Sequence, residues 1–151
     1  MDTIIIKKLL KKFKCFKGVY PLNFLPNNLK LPINLIANTH PSSKPGEHWI
    51  SISINSEGKG QYFDSFGLPP LHQEFFDFLE SYCKKGWDYN KVSLQHPSSN
   101  TCGHYCVLFI IFKCLGLTYE NFISKFNTNS LRNDERMKKI FGNFLLAKTL
   151  K

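Results

Sequence analysis

Ser93–Phe112, SLQHPSSNTCGHYCVLFIIF, sets a polar loop directly against a long apolar run. The run predicts a helix over Cys102–Leu115, apolar on nearly every face and so buried, stopped by Gly116 just past its last turn. Ser98, Ser99, Asn100 and Thr101 read as loop and capping residues, which puts Cys102 at the helix N-terminus. There, unpaired N–H groups and the helix dipole favour negative charge and lower a thiol's pKa. Gly103 leaves room beside Cys102 for an extended backbone, and Cys106 and Cys114, deeper in the helix, read as buried structural thiols.

Upstream of this helix the pattern is mixed. Ile6, Leu9, Leu10, Phe13 and Phe16 recur at helical spacing between lysines and predict a basic amphipathic first helix. Residues 18–47 are rich in Pro and Asn and read as an ordered, loop-rich connection without long regular elements. Ile50, Ile52 and Ile54 alternate with Ser51 and Ser53, the signature of a half-buried strand, and NSEGKG turns the chain into QYFDSF, a second strand. Leu71, Phe75, Phe78, Leu79 and Tyr82 form a helical stripe, and DYNKVSLQ is a third strand candidate ending at Gln95. Two further helices are expected near residues 118–126 and 133–146. The fold class is α+β: a small central mixed or antiparallel sheet flanked by helices, in one domain spanning residues 1–151.

The 151 residues are 42% hydrophobic, enough for one sizeable core. Twenty Lys+Arg against eleven Asp+Glu give a net charge of +9, which suits polyanionic partners such as nucleic acid. Five cysteines make an odd count without framework spacing, so a reducing, intracellular setting is expected rather than secretion. The longest apolar run near the N-terminus is three residues, too short for a signal-peptide core or a membrane span.

An acyl-transfer cysteine needs a base, and the base needs an orienting acceptor on its other ring nitrogen. His48 and Asp64, at the outer ends of the two hairpin strands, supply both if the register sets Asp64 opposite Ile50, which makes them diagonal neighbours. A register with Ile54 opposite Gln61 would send them to opposite faces, and the sequence leaves both registers open. Gln95, seven residues before Cys102, can donate its side-chain amide to an oxyanion. Taken singly, each residue has an ordinary structural explanation; their joint order carries the weight.

That order, HW at His48–Trp49, YFDSFG at Tyr62–Gly67, and Gln95 ahead of Cys102–Gly103, resembles the adenovirus-type cysteine proteases (adenain). More distantly it resembles the proteases that process ubiquitin-like proteins. The similarity runs from about Gly18 to the late helices and is strongest over Gly46–Gly67 and Gln95–Phe109. It implies His48 as general base, Asp64 as its orienter, Cys102 as nucleophile, and Gln95 with the Cys102 N–H as oxyanion hole. Trp49 matches the tryptophan that shields the site, and with Gly103 is expected to contact substrate.

The resemblance implies an endopeptidase of an adenovirus-like virus or a virus-derived mobile element, cleaving structural precursors at Gly-containing sites. Removal of ubiquitin-like proteins is the alternative. No cofactor or metal is required for the chemistry, but viral DNA and a short disulfide-forming viral peptide stimulate such relatives. Both are therefore expected partners, with no membrane, in the host nucleus or virion. Two departures bear on the choice: Asp64 stands where the adenovirus enzymes commonly carry Glu, and the chain is shorter at its C-terminal side. Cys83 lies in a region comparable to the peptide-linking cysteine, in different surroundings. Two other classes compete with the protease: metal binding through His96, Cys102, His104 and Cys106, which lack a recognised ligand spacing, and a catalytically dead binding module.

Overall fold

A computed structural model describes residues 1–149, with side chains described as far as Asn143. The chain runs α1 (Thr3–Leu10), β1 (Phe16–Tyr20), a short 3-10 turn (Leu22–Phe24), β2 (Ile33–Asn38), β3 (Trp49–Ile54), β4 (Gly60–Phe63), α2 (Gln73–Tyr82), β5 (Trp87–Tyr89), α3 (Cys102–Cys114), α4 (Tyr119–Ile123) and α5 (Ser130–Thr149). The five strands form one mixed sheet in the order β1-β2-β3-β4-β5. The central pairs β2–β3 and β3–β4 are antiparallel, and the outer pairs β1–β2 and β4–β5 are parallel.

The sheet separates two apolar clusters. On one face Ile36 and Phe63 meet Ile6, Leu9 and Leu10 of α1, Tyr105, Phe109 and Ile110 of α3, Phe122 of α4, and Met137 and Phe141 of α5. On the other face Ile33, Leu35, Ile50, Ile52, Ile54 and Tyr62 meet Phe75, Phe78 and Leu79 of α2. Helix α3, apolar all round as its sequence requires, lies between the sheet and the other helices of the first layer.

This two-sided covering explains where the structure departs from the sequence reading. Residues 18–47 contain the end of β1 and the whole of the fully buried β2, because INLIAN is a strand buried on both faces and so does not alternate. Its neighbouring prolines, Pro32 and Pro41, lie outside it. For the same reason β3 is not half-buried: Ser51 and Ser53 point into protein, where Ser51 Oγ donates to Cys106 O at 3.3 Å and Ser53 Oγ to Asn34 Oδ1 at 2.7 Å. The first helix ends at Leu10, and Phe16 opens β1 although it lies at helical spacing. The third strand is Trp87–Tyr89 rather than 88–95, so Gln95 follows it in an irregular segment.

Leu71 lies outside α2 and is exposed, while the remaining stripe packs as expected. Helices α4 and α5 cover Tyr119–Ile123 and Ser130–Thr149 where 118–126 and 133–146 were expected. Thr101 precedes α3 but makes no side-chain capping bond, because its hydroxyl is held by α5. Cys114 is bonded to Cys15, with Cα atoms 5.8 Å apart, rather than a buried free thiol. Ninety-nine residues separate the two, too far for linear spacing to reveal the pair. No helix among the described residues is long and apolar enough to cross a membrane.

Phe63 stacks on Phe109 with ring centroids 4.6 Å apart and meets Phe122 edge-on at 5.3 Å, joining sheet, α3 and α4. Phe63→Ala is expected to cost about 3–5 kcal/mol in urea denaturation, whereas Leu71→Ala should change stability by less than about 0.5 kcal/mol.

Candidate active site

The antiparallel register decides the site. Ser51 pairs with Phe63 and Ile54 with Gly60, and continuing this ladder sets Asp64 across from Ile50, one diagonal step from His48. His48 is pinned by its carbonyl, which accepts the Thr39 N–H at 2.9 Å, and its Nε2 lies 3.0 Å from Asp64 Oδ1. With Nε2 on the carboxylate, Nδ1 is the nitrogen left for the thiol. Phe66 stacks on the imidazole at 5.0 Å and holds its plane.

Asp64 is itself fixed through its main chain. Asn90, just past β5, accepts the Asp64 N–H at 2.8 Å and donates Nδ2 to the Asp64 carbonyl. Asp64 Oδ1 also accepts the Phe66 N–H at 2.8 Å, leaving the carboxylate little rotational freedom. The turn closes at Gly67, whose φ of +73° favours glycine, and where a Cβ would lie 2.8 Å from the Val92 carbonyl carbon.

The same turn places Gln95. The Ser65 carbonyl accepts N–H groups from Leu94 at 2.8 Å and Gln95 at 3.0 Å, while Ser65 Oγ donates to Gln95 Oε1 at 2.6 Å. That bond fixes which end of the amide carries the hydrogens. Gln95 Nε2 gives one to the Ser99 carbonyl at 2.9 Å and keeps a second. Asp134 of α5 binds the other side of this loop: it accepts the His96 N–H at 3.0 Å, the Thr101 hydroxyl at 2.9 Å and the Tyr105 hydroxyl at 2.8 Å.

His48, Gln95 and Cys102 thus line one cleft of about 440 Å³ with Trp49, Phe66, Ser99, Asn100 and Met1. Gly103 lies under this wall rather than on it: a Cβ there would meet Met1 Cβ at 3.0 Å and Trp49 Cδ1 at 3.2 Å, so the space it leaves holds those two side chains. Trp49 Nε1 donates to the Met1 carbonyl at 2.9 Å. Sequence reasoning missed Ser65, Phe66, Asn90, Asp134 and Met1 as site residues. Ser65 and Phe66 fall within YFDSFG, whereas nothing in the linear pattern marks the others.

Electrostatically the thiol and imidazole act on each other. Burial alone would raise the Cys102 pKa, but the bond with His48, backbone N–H groups of Trp49 and Gly103, and the imidazolium charge outweigh it and lower the pKa. Burial would lower the His48 pKa, but bonds to Asp64 and Cys102 and their charges raise it to about 9. Both shifts favour thiolate beside imidazolium. Cys106 lies in the same helix with its pKa pushed well up by burial, so it stays a thiol. Among the described residues no three His, Cys, Asp or Glu side chains converge as a metal site.

The sequence matches no protein-family model. It also matches no curated protein. Its backbone, however, superposes on the ASFV pS273R protease with a TM-score of 0.65 at 18% identity, over 92% of this chain and 65% of that one. This is a cysteine-protease fold. The same fold relates the chain to the Chlamydia trachomatis effector Cdu1, solved bound to ubiquitin (TM-score 0.57, 15% identity, 95% of this chain and 78% of that one). It also relates it to ChlaDub1 from Chlamydia trachomatis (TM-score 0.55, 14% identity, 93% and 76%). The likeness shows the fold and does not single out the adenovirus branch. The chain spans just under two thirds of the length of the ASFV protease.

Alkylation should follow the coupled pair. Iodoacetamide should label Cys102 below the ordinary thiol range, at a rate that falls when acid protonates the thiolate and changes again as His48 loses its proton near pH 9. In His48→Ala, burial prevails and labelling should require alkaline solution. Mass spectrometry across a pH series checks both, and identical profiles for the two proteins would exclude the coupling.

Proposed function

We propose that this chain is a cysteine peptidase with Cys102 as nucleophile, His48 as acid and base, Asp64 as the orienting carboxylate, and Gln95 with the Cys102 N–H as oxyanion hole. The observation that carries it is the Asp64–His48 bond of 3.0 Å in a cleft that also holds Cys102 and a Gln95 amide of fixed orientation. The Cys102 thiolate attacks a peptide carbonyl, and the developing oxyanion lies between Gln95 Nε2 and the Cys102 N–H. Protonated His48 gives its proton to the departing amine as the C–N bond breaks, leaving a thioester. Neutral His48 then takes a proton from water, the hydroxide adds to the thioester, and collapse releases the acid and restores thiolate and imidazolium.

The substrate is a protein chain cut at a Gly-containing site, as the sequence resemblance implies, bound in the cleft that Trp49, Phe66 and Met1 line beside Cys102. Processing of viral structural precursors, in the nucleus or virion, is the reading supported by the sequence resemblance. Release of ubiquitin-like proteins is supported by Asp64 in the orienting position and by the likeness to a protein solved with ubiquitin. Fluorogenic ubiquitin-like substrates set against Gly-containing viral-type peptides separate the two, and turnover of one set alone selects that reading. In either assay Cys102→Ala should abolish turnover, and Gln95→Ala should lower kcat by about 10²–10³. Unchanged turnover in Cys102→Ala would exclude the nucleophile.

DNA is proposed as a stimulating partner. A groove between α1 and β1 is lined by Lys7, Lys8, Lys11 and Lys17 around Phe13 and Phe16, and none of these lysines forms an ion pair among the described residues. Binding should weaken steeply with salt, because each phosphate neutralised releases counterions. Titrations at two ionic strengths test this, and absence of binding at low salt would reject it. An activating peptide would bind without a disulfide to Cys83, which is buried and whose pKa burial and Glu80 push up to about 11.

A further inference from the structure

A second cavity of about 390 Å³ adjoins the catalytic cleft, and the two share Met1, Gly46 and Trp49 as wall residues. Its apolar walls are Val19, Pro21, Pro41 and Trp49, and Asn38, at the end of β2, lies along it. Asn38 Oδ1 accepts N–H groups from His40 at 2.8 Å and Glu47 at 3.3 Å, which fixes the orientation of the amide. Its Nδ2 is consequently a known donor, and it is buried without an acceptor. Such a group costs stability unless something completes it. Gly46 stands beside it: a Cβ there would come within 2.6 Å of Nδ2, so any side chain would crowd the donor. His40 folds this segment back, with Nδ1 at 2.6 Å from the Pro45 carbonyl and Nε2 at 2.6 Å from Glu47.

We propose that this cavity is a second substrate subsite, taking a side chain that ends in a carbonyl oxygen on an apolar stem, Gln or Glu, at a residue flanking the cleaved bond. The oxygen accepts from Asn38 Nδ2, and the stem packs on Trp49 and the two prolines. Asp2 and Lys44 both border the cavity, so its charge does not divide carboxamide from carboxylate; the shared feature is the acceptor. The inference rests on the peptidase reading and adds to it a residue that sets specificity.

The test uses Gly-containing peptides in which each flanking position in turn is Gln, Glu or Leu, assayed with wild type and Asn38→Asp. That variant keeps an Oδ1 acceptor for His40 and Glu47 and puts a second acceptor oxygen, negatively charged when ionised, in place of the Nδ2 donor, so the comparison of Gln with Leu is the one that decides. At one position the wild type should favour Gln and Glu over Leu by about 5–10-fold in KM, with kcat little changed, and Asn38→Asp should lose this preference. No preference at any position, or a preference that survives in Asn38→Asp, overturns the subsite while the peptidase stands. If wild type turns over no peptide and iodoacetamide does not label Cys102, the peptidase reading falls and the subsite with it. Should Asn38→Asp fail to assemble, as reported by Cys102 labelling, Gly46→Ala replaces it. Its methyl crowds the same donor, and the same loss of preference is expected, with a retained preference overturning the proposal.

Discussion

The pairing register of β3 with β4 is the constraint on which the site depends. Side chains alternate along a strand, so a slip of one residue would send His48 and Asp64 to opposite faces and break the bond between them. The register is held from both sides: β2 pairs with β3 from Ile33–Ile54 to Asn38–Trp49, and β5 pairs with β4. The isoleucines of β3 fill one core while Ser51 and Ser53 are satisfied in the other layer, so no shifted pairing would preserve both. The position of the Asp64 carboxylate is thus a consequence of core packing several residues away.

Around that pair, backbone groups do most of the positioning. Asn90 binds Asp64 through its main chain on both sides, and the Ser65 carbonyl draws in Leu94 and Gln95. One short turn after β4 therefore carries Asp64 and anchors Gln95. Asp134, from the far end of the chain, secures the opposite side of the loop and the start of α3. Three segments far apart in sequence meet at Cys102, and none depends on a long flexible side chain for its placement.

Burial opposes this chemistry, since removing a thiolate or an imidazolium from water penalises the charged form. The site answers with partners within reach: the imidazole and two backbone N–H groups for sulfur, a carboxylate and the sulfur for imidazole. Cys106 shares the helix and the burial but lacks these partners, and its pKa is raised where that of Cys102 is lowered. Position on the helix, rather than residue type, sets the two thiols apart.

The sequence by itself determined the α+β class, α3 with Cys102 at its N-terminus, and the β3–β4 hairpin that carries His48 and Asp64 at its outer ends, because these follow from local periodicity and short spacings. It left β1 and β2 unread, since a strand covered on both faces loses alternation and Pro and Asn at its flanks dominate the composition. It left the register open, because either pairing satisfies the local pattern and only the two cores distinguish them. Asn90, Asp134 and Met1 reached the site through contacts across 26 to 48 residues, or from an end of the chain, which no linear spacing encodes. The orientation of Gln95 likewise came from Ser65, 30 residues away, because an amide's direction is set by its partner and not by its own sequence.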